Sequence, residues 1–162
     1  MSEKLEEHLE NIQLSMIYEH PVRWREGCRP TPSTERRKFD DGFYFSLMLD
    51  PNLKTLCKDI YRRLINIGAE VIIVSSNIPA RSNGELWQKQ KMPEDPRTSV
   101  TFRYGKMKHI IHCDKYNHPI LNLKGLVEIV SCLELMSDYL CSSHMSDSPI
   151  FEEIIRNFQV GE

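Results

Sequence analysis

Between residues 109 and 118 the chain carries His109, His112, Cys113, Asp114 and His118. These are the side-chain types that ligate zinc and related ions. On an extended strand, alternate residues face opposite sides, so His109, Ile111 and Cys113 share one face and His112 and Asp114 the other. Two ligands on a face do not close a tetrahedral shell, and no metal is expected here. Cys113 beside a histidine can also be drawn as a nucleophilic dyad. A buried strand position raises a thiol pKa and suppresses the thiolate, which argues against that chemistry. The sequence contains no GxSxG elbow, P-loop, GxGxxG or HExxH. No catalytic residue is assigned and no cofactor is expected. The chain reads as a binding protein sooner than an enzyme.

Other chemistry-bearing residues lie where strands and helices end. Ser75, Ser76 and Asn77 follow a run of β-branched residues, and ligands of α/β sheets gather beyond such carboxyl ends. Asp114 ends a second strand and Asn122 opens a helix. If these ends adjoin, they line one polar cleft. The competing reading makes Asn77 a turn residue, Asp114 an Asx turn and Asn122 a helix cap. Trp24 is set among Arg23, Arg25 and Arg29. Indole and guanidinium together stack bases and meet phosphates. Alternatively, Trp24 anchors its segment on the core, and the arginines pair with Glu19, Glu26 and Glu35.

These residues need elements to hold them. Residues 1–19 are read as an N-terminal helical segment: Ser2 caps it, and Leu5, Leu9, Ile12 and Met16 fall on one side. Residues 20–42 form a basic arm, broken by Pro21, Gly27, Pro30 and Pro32. Residues 43–162 make the core domain. Phe43 to Leu49 is too short a run to assign as strand or helix. Asp50 and Pro51 then read as N-cap and N1 of a helix that buries Leu53, Leu56, Ile60, Leu64 and Ile67 and closes at Gly68. Ala69 to Ser76 is a central strand. Asn77 to Arg97 is a long polar loop. Within it, Leu86 and Trp87, with Met92, offer a small contact for a protein partner. Alternation over Thr98 to Tyr104 and Met107 to Cys113, around Gly105-Lys106, predicts a hairpin. Helices follow at Ile120 to Leu140 and Ser148 to Phe158. The expected fold is a single α+β domain: a small mixed or antiparallel sheet of three to four strands with helices packed on it.

The 162 residues, 40% hydrophobic with net charge −2, suit one globular domain with a real core. Near-neutral charge argues against a generic polyanion binder while allowing a local basic patch. The first ten residues carry four glutamates and no apolar stretch of a signal peptide. No run approaches the roughly 20 apolar residues of a bilayer span, so no membrane association is expected. The five cysteines include no CxxC pair, which fits reduced thiols and a cytoplasmic setting.

Several stretches resemble a family of uncharacterised phage and bacterial proteins, some of which carry, or are labelled as carrying, a J domain. The opening Pro21-Val22-Arg23-Trp24 through Arg29-Pro30-Thr31 is similar to that family's Trp- and Pro-rich start. So are Arg36-Arg37-Lys38-Phe39, Ile73 to Pro79, Glu94-Asp95-Pro96 with Ser99 to Phe102, Ile111 to Tyr116, and Asn122-Leu123. The resemblance spans about Pro21 to Phe158. Arg97 stands where the family has glycine, His109, His112 and His118 match no family pattern, and no J domain is present in this sequence. The resemblance implies a phage or mobile-element setting, in the host cytoplasm if phage-encoded, and a role in replication, recombination or host takeover. It singles out Asn77, Asp95, Cys113, Asp114 and Asn122. The expected ligand-binding set is therefore Trp24, Arg29, Ser76, Asn77, Asp95, Asp114 and Asn122, reading a nucleotide or single-stranded nucleic acid. The alternatives are a hydrolase or nuclease with a divalent cation on Asp95 and Asp114, and an adaptor or inhibitor of a host protein. Oligomeric state is not assigned.

Overall fold

Residues 98–113 alternate in polarity about a glycine, and they build the centre of the fold. Strands β3 (Thr98–Tyr104) and β4 (Met107–Cys113) pair antiparallel, in unbroken register from Thr98↔Cys113 to Tyr104↔Met107. Gly105 turns between them at φ +62°, a backbone conformation that favours glycine. The computed structural model describes residues 3–37, 53–81, 91–140 and 149–161. Within these residues the order is α1 (Glu3–Asn11), α2 (Leu14–Ile17), β1 (Tyr18–Glu19), α3 (Leu53–Asn66), β2 (Glu70–Ser76), β3, β4, α4 (Pro119–Leu140) and α5 (Pro149–Arg156). The sheet order is β1-β2-β3-β4, with β1 parallel to β2 and the other pairs antiparallel. This is an α+β fold with helices packed on a four-stranded mixed sheet.

One face of the sheet carries Ile72 and Val74 of β2, Val100 and Phe102 of β3, and Ile111 of β4, all buried. Helix α3 lays Leu53, Cys57, Ile60 and Leu64 against it, and α4 lays Leu123, Leu126, Val130 and Leu133. Burying each such side chain is worth about 1.5–3 kcal/mol, so this layer supplies most of the driving force. Glu134 of α4 accepts from Arg63 at 2.9 Å and Asn66 at 2.8 Å, which fixes the two helices side by side. Gly68 follows α3 at φ +93°, where the sequence placed the helix stop. After α5, the tail runs along the free edge of β4: Ile110 N donates to the Phe158 carbonyl at 2.9 Å, and Val160 N to the Lys108 carbonyl at 3.0 Å.

The N-terminal segment departs from the single expected helix. Helix α1 buries none of its residues. The chain then breaks at Gln13, which is extended, and sends Leu14, Ile17 and Tyr18 into the core. A straight helix with Leu5, Leu9, Ile12 and Met16 on its inner side would turn Leu14 to the opposite side; the break lets Ile12 and Leu14 both be buried and leaves Met16 exposed. The sheet thus draws its edge strand β1 from residues expected to lie outside it. Strand β2 is irregular as well. Its register shifts between Glu70 and Ile73, and Val71 sits at φ +52°. For a β-branched residue that conformation costs on the order of 1–3 kcal/mol. The run Phe43 to Leu49, the Asp50-Pro51 helix start, the loop around Trp87 and the Ser148 cap lie outside the described residues. Among the described residues, no helix is long and apolar enough to cross a membrane.

Candidate functional site

Strands β2 and β4 run in the same direction, so Ser76, Asn77 and Asp114 emerge at one end of the sheet. The Asp95 loop and the start of α4 reach the same end: Asn77 Nδ2 donates to the Asp95 carbonyl at 3.4 Å, and Asn122 Nδ2 to the Pro96 carbonyl at 2.7 Å. The expected residues therefore converge. Their polar atoms, however, are spent inside the protein.

The arm after β1 folds across the face of the sheet opposite the helices. Val22 N donates to Asn77 Oδ1 at 3.1 Å. Arg23 N donates to Ser75 Oγ at 2.9 Å, and Ser99 Oγ donates to the Arg23 carbonyl. Ser75 and Ser99 lie 2.8 Å apart, so Ser75 must give its own proton to Ser99. The result is a closed ring, from Arg23 N–H through two hydroxyls to the Arg23 carbonyl. Trp24 is half-buried. Its indole stacks on His112 at 4.1 Å and 31°, and the Arg97 guanidinium lies 5.3 Å from its centroid. The indole Nε1 donates to the Cys28 carbonyl at 3.0 Å. Thr31 donates through both its backbone N and its hydroxyl to the Asp114 carboxylate. Arg36 stands 3.8 Å from the same group.

Each expected ligand residue can now be placed. Ser76 is buried, bonded to the Tyr18 hydroxyl at 2.6 Å and to Ile78 N at 3.1 Å. Asn77 and Asp114 anchor the arm. Asp95 is clasped by Arg97, with Nε at 2.9 Å and Nη2 at 2.7 Å. Arg97 therefore holds the Asp95 carboxyl below the usual carboxylate range. Asn122 is wholly buried in the first turn of α4, and it does not cap the helix. It donates to the Pro96 and Tyr116 carbonyls and accepts from Tyr116 N at 2.9 Å and the Cys113 thiol at 3.6 Å. An amide so engaged has nothing left to offer a ligand. Trp24 anchors the arm on the sheet through His112 and Arg97. Arg29 is exposed on the arm.

The histidines separate as the alternation predicts. His109 stacks on Phe102 at 5.3 Å on the helix face, and His112 lies under Trp24 on the other. Burial lowers the pKa of both; at His112 the Asp114 charge opposes this and Arg25 reinforces it. Burial likewise pushes the Cys113 thiol up, away from thiolate chemistry. Among the described residues, no group of three or more His, Cys, Asp or Glu side chains is placed to hold a metal ion.

The arm covers only part of its sheet face. Beside it lies a groove of about 670 Å³ over Thr101, Ile110 and Lys108, walled by Arg23, Trp24 and Arg25 on one side and by the C-terminal tail on the other. A second hollow of about 250 Å³ adds Val71, Ile73 and Arg103, and the two share Arg23, Thr101 and Lys108. Arg25 joins arm to tail by donating to the Asn157 and Gln159 carbonyls at 3.3 and 3.0 Å. Arg103 pairs with Glu70 at 3.0 Å, and Arg23 pairs with Glu19. Lys108 is exposed and makes no ion pair among the described residues. The sequence reading missed Lys108, Arg103 and Val71. The strand alternation already put Ser99, Thr101 and Arg103 on one face with Lys108, Ile110 and His112.

No family model, curated protein or solved structure matches the chain.

Proposed function

We propose that the protein is a nucleic-acid- or nucleotide-binding module whose ligand lies in the trough on the open face of the sheet. One observation carries this reading. Arg23, Arg25, Arg103 and Lys108 ring a floor made by Ile73, Thr101 and Ile110, with Trp24 in its wall. Cations that meet phosphate and an apolar platform that meets a base are the two parts of nucleic-acid recognition on an open sheet. Asn77, Asp114 and the Ser75–Ser99 pair serve this site by holding the arm that forms its wall. The cation-dependent alternative finds less support, because Asp95 and Asp114 are engaged by Arg97 and Thr31. The resemblance to phage and bacterial proteins suggests a role in replication, recombination or host takeover.

Fluorescence anisotropy with labelled oligothymidylate and with thymidine monophosphate as competitor tests the proposal. Affinity should fall as salt rises, with a slope set by the phosphates contacted. Lys108→Glu leaves the fold intact because the side chain is exposed. It should weaken binding across sequences and reduce the salt slope by about one. Wild-type protein that binds neither probe at low salt would refute the reading.

A further inference from the structure

Val71 is the only non-glycine residue with positive φ among the described residues. The residue is 65% exposed, so core packing does not explain the choice of a β-branched residue there. It lies within the register shift between Glu70 and Ile73. It comes to rest in the smaller hollow, beside Ile73, Arg103 and Lys108. Bulges that re-aim a side chain, and strained backbone, both concentrate at binding sites. A polar residue or glycine would sit at this φ with less strain, yet the position holds an apolar side chain facing solvent.

We propose that the Val71 hollow seats one base of a single-stranded nucleic acid, and that the chain continues past Lys108 into the larger groove beneath Trp24. This rests on the trough being the binding site, and it specifies the ligand as a single strand of at least two nucleotides. Lys108 and Arg23 belong to both hollows, so a phosphate at their junction lies between two seated bases. Lys108, which has no ion pair among the described residues, favours an anion at this junction, although Glu26 lines the larger groove and Arg23 and Arg103 are paired with Glu19 and Glu70. The apolar platforms select a single strand, because a duplex keeps its base faces stacked against one another.

The test compares Val71→Asn and Val71→Gly with wild type and Lys108→Glu, reading melting temperature and affinity for a short oligothymidylate, with thymidine monophosphate and a duplex of equal length as competitors. Asparagine and glycine both tolerate positive φ. Both variants should therefore melt no lower than wild type. Both should bind about tenfold more weakly, from the loss of two methyl groups' apolar contact. The duplex and the mononucleotide should compete poorly. If wild type binds and Lys108→Glu weakens it, but the Val71 variants bind like wild type, the base seat is overturned while the trough survives. A fall in melting temperature of more than about 3 °C in both variants assigns Val71 a structural role and overturns the seat. Equal competition by duplex overturns the single-strand assignment. If wild type binds no nucleic acid, both proposals fail together.

Discussion

Replacing Asn122 by alanine separates a structural role at the strand ends from a ligand-binding one. The side chain is fully buried and ties three segments together: the turn after β4 at Tyr116, the loop at Pro96 and the first turn of α4. Truncation leaves the Pro96 carbonyl without its donor at a buried position, a loss of about 1–3 kcal/mol. Tyr116 is partly exposed, so water can replace its two lost bonds, at roughly 0.5–1 kcal/mol each. The sum is about 2–5 kcal/mol, a large share of the 5–15 kcal/mol typical of a domain. For a chain of this size it corresponds to a fall in melting temperature of roughly 5–15 °C. Urea denaturation followed by circular dichroism gives the free energy directly. Affinity for oligothymidylate, measured well below the new melting temperature, should stay near wild type. A stability loss under about 1 kcal/mol, together with lost binding, would return Asn122 to the ligand site and refute its structural placement.

Two further outcomes follow from the same geometry. A Cβ built on Gly125 of α4 would lie 2.7 Å from the Cys113 Sγ and 3.8 Å from its Cβ. Gly125→Ala should therefore destabilise by about 1–3 kcal/mol despite the better helix propensity of alanine, and adding Cys113→Ala should recover most of the loss. Denaturation of the single and double variants that shows simple additivity would count against the contact. Stability should also depend on pH in two steps. His109 and His112 have lowered pKa values in the folded state because burial disfavours the cation. The unfolded chain takes up these protons first, so stability is full above about pH 6.5 and declines as pH falls from there through the lower folded values. Asp95 is lowered by Arg97, so its contribution is present above about pH 3.9 and is lost as pH falls through its folded value. A denaturation series with His112→Gln should flatten part of the first step. Stability that rises from neutral to mildly acid pH would contradict the buried histidines.

Local pattern sufficed wherever one period ran unbroken. The hairpin bounds follow from alternation around Gly105, and α3 follows from the three- and four-residue spacing of Leu53, Leu56, Ile60, Leu64 and Ile67 that stops at Gly68. Pattern failed where burial is decided by distant partners. Ile12, Leu14 and Ile17 do not share one helical face, yet all three are buried with α3 and β2, and the helix breaks at Gln13 to allow it. The positive φ of Val71 has no signature at all, since a β-branched residue in a β-branched run predicts a regular strand.

The convergence of Asn77, Asp95, Asp114 and Asn122 was legible, whereas their use was not, and the arm explains the difference. With prolines at 21, 30 and 32 it cannot build a regular ladder of its own, so its backbone groups need partners from elsewhere. Asn77 serves Val22, the Ser75–Ser99 pair serves both polar groups of Arg23, and Asp114 serves Thr31. Small polar residues on a sheet face therefore have two uses that composition alone does not distinguish: meeting a ligand, or meeting a second strand of chain. Here they meet the chain, and in doing so they stop the arm partway across the sheet. The half they leave open is the half that carries Lys108, Arg103 and Val71, where the two hollows of the proposed trough lie.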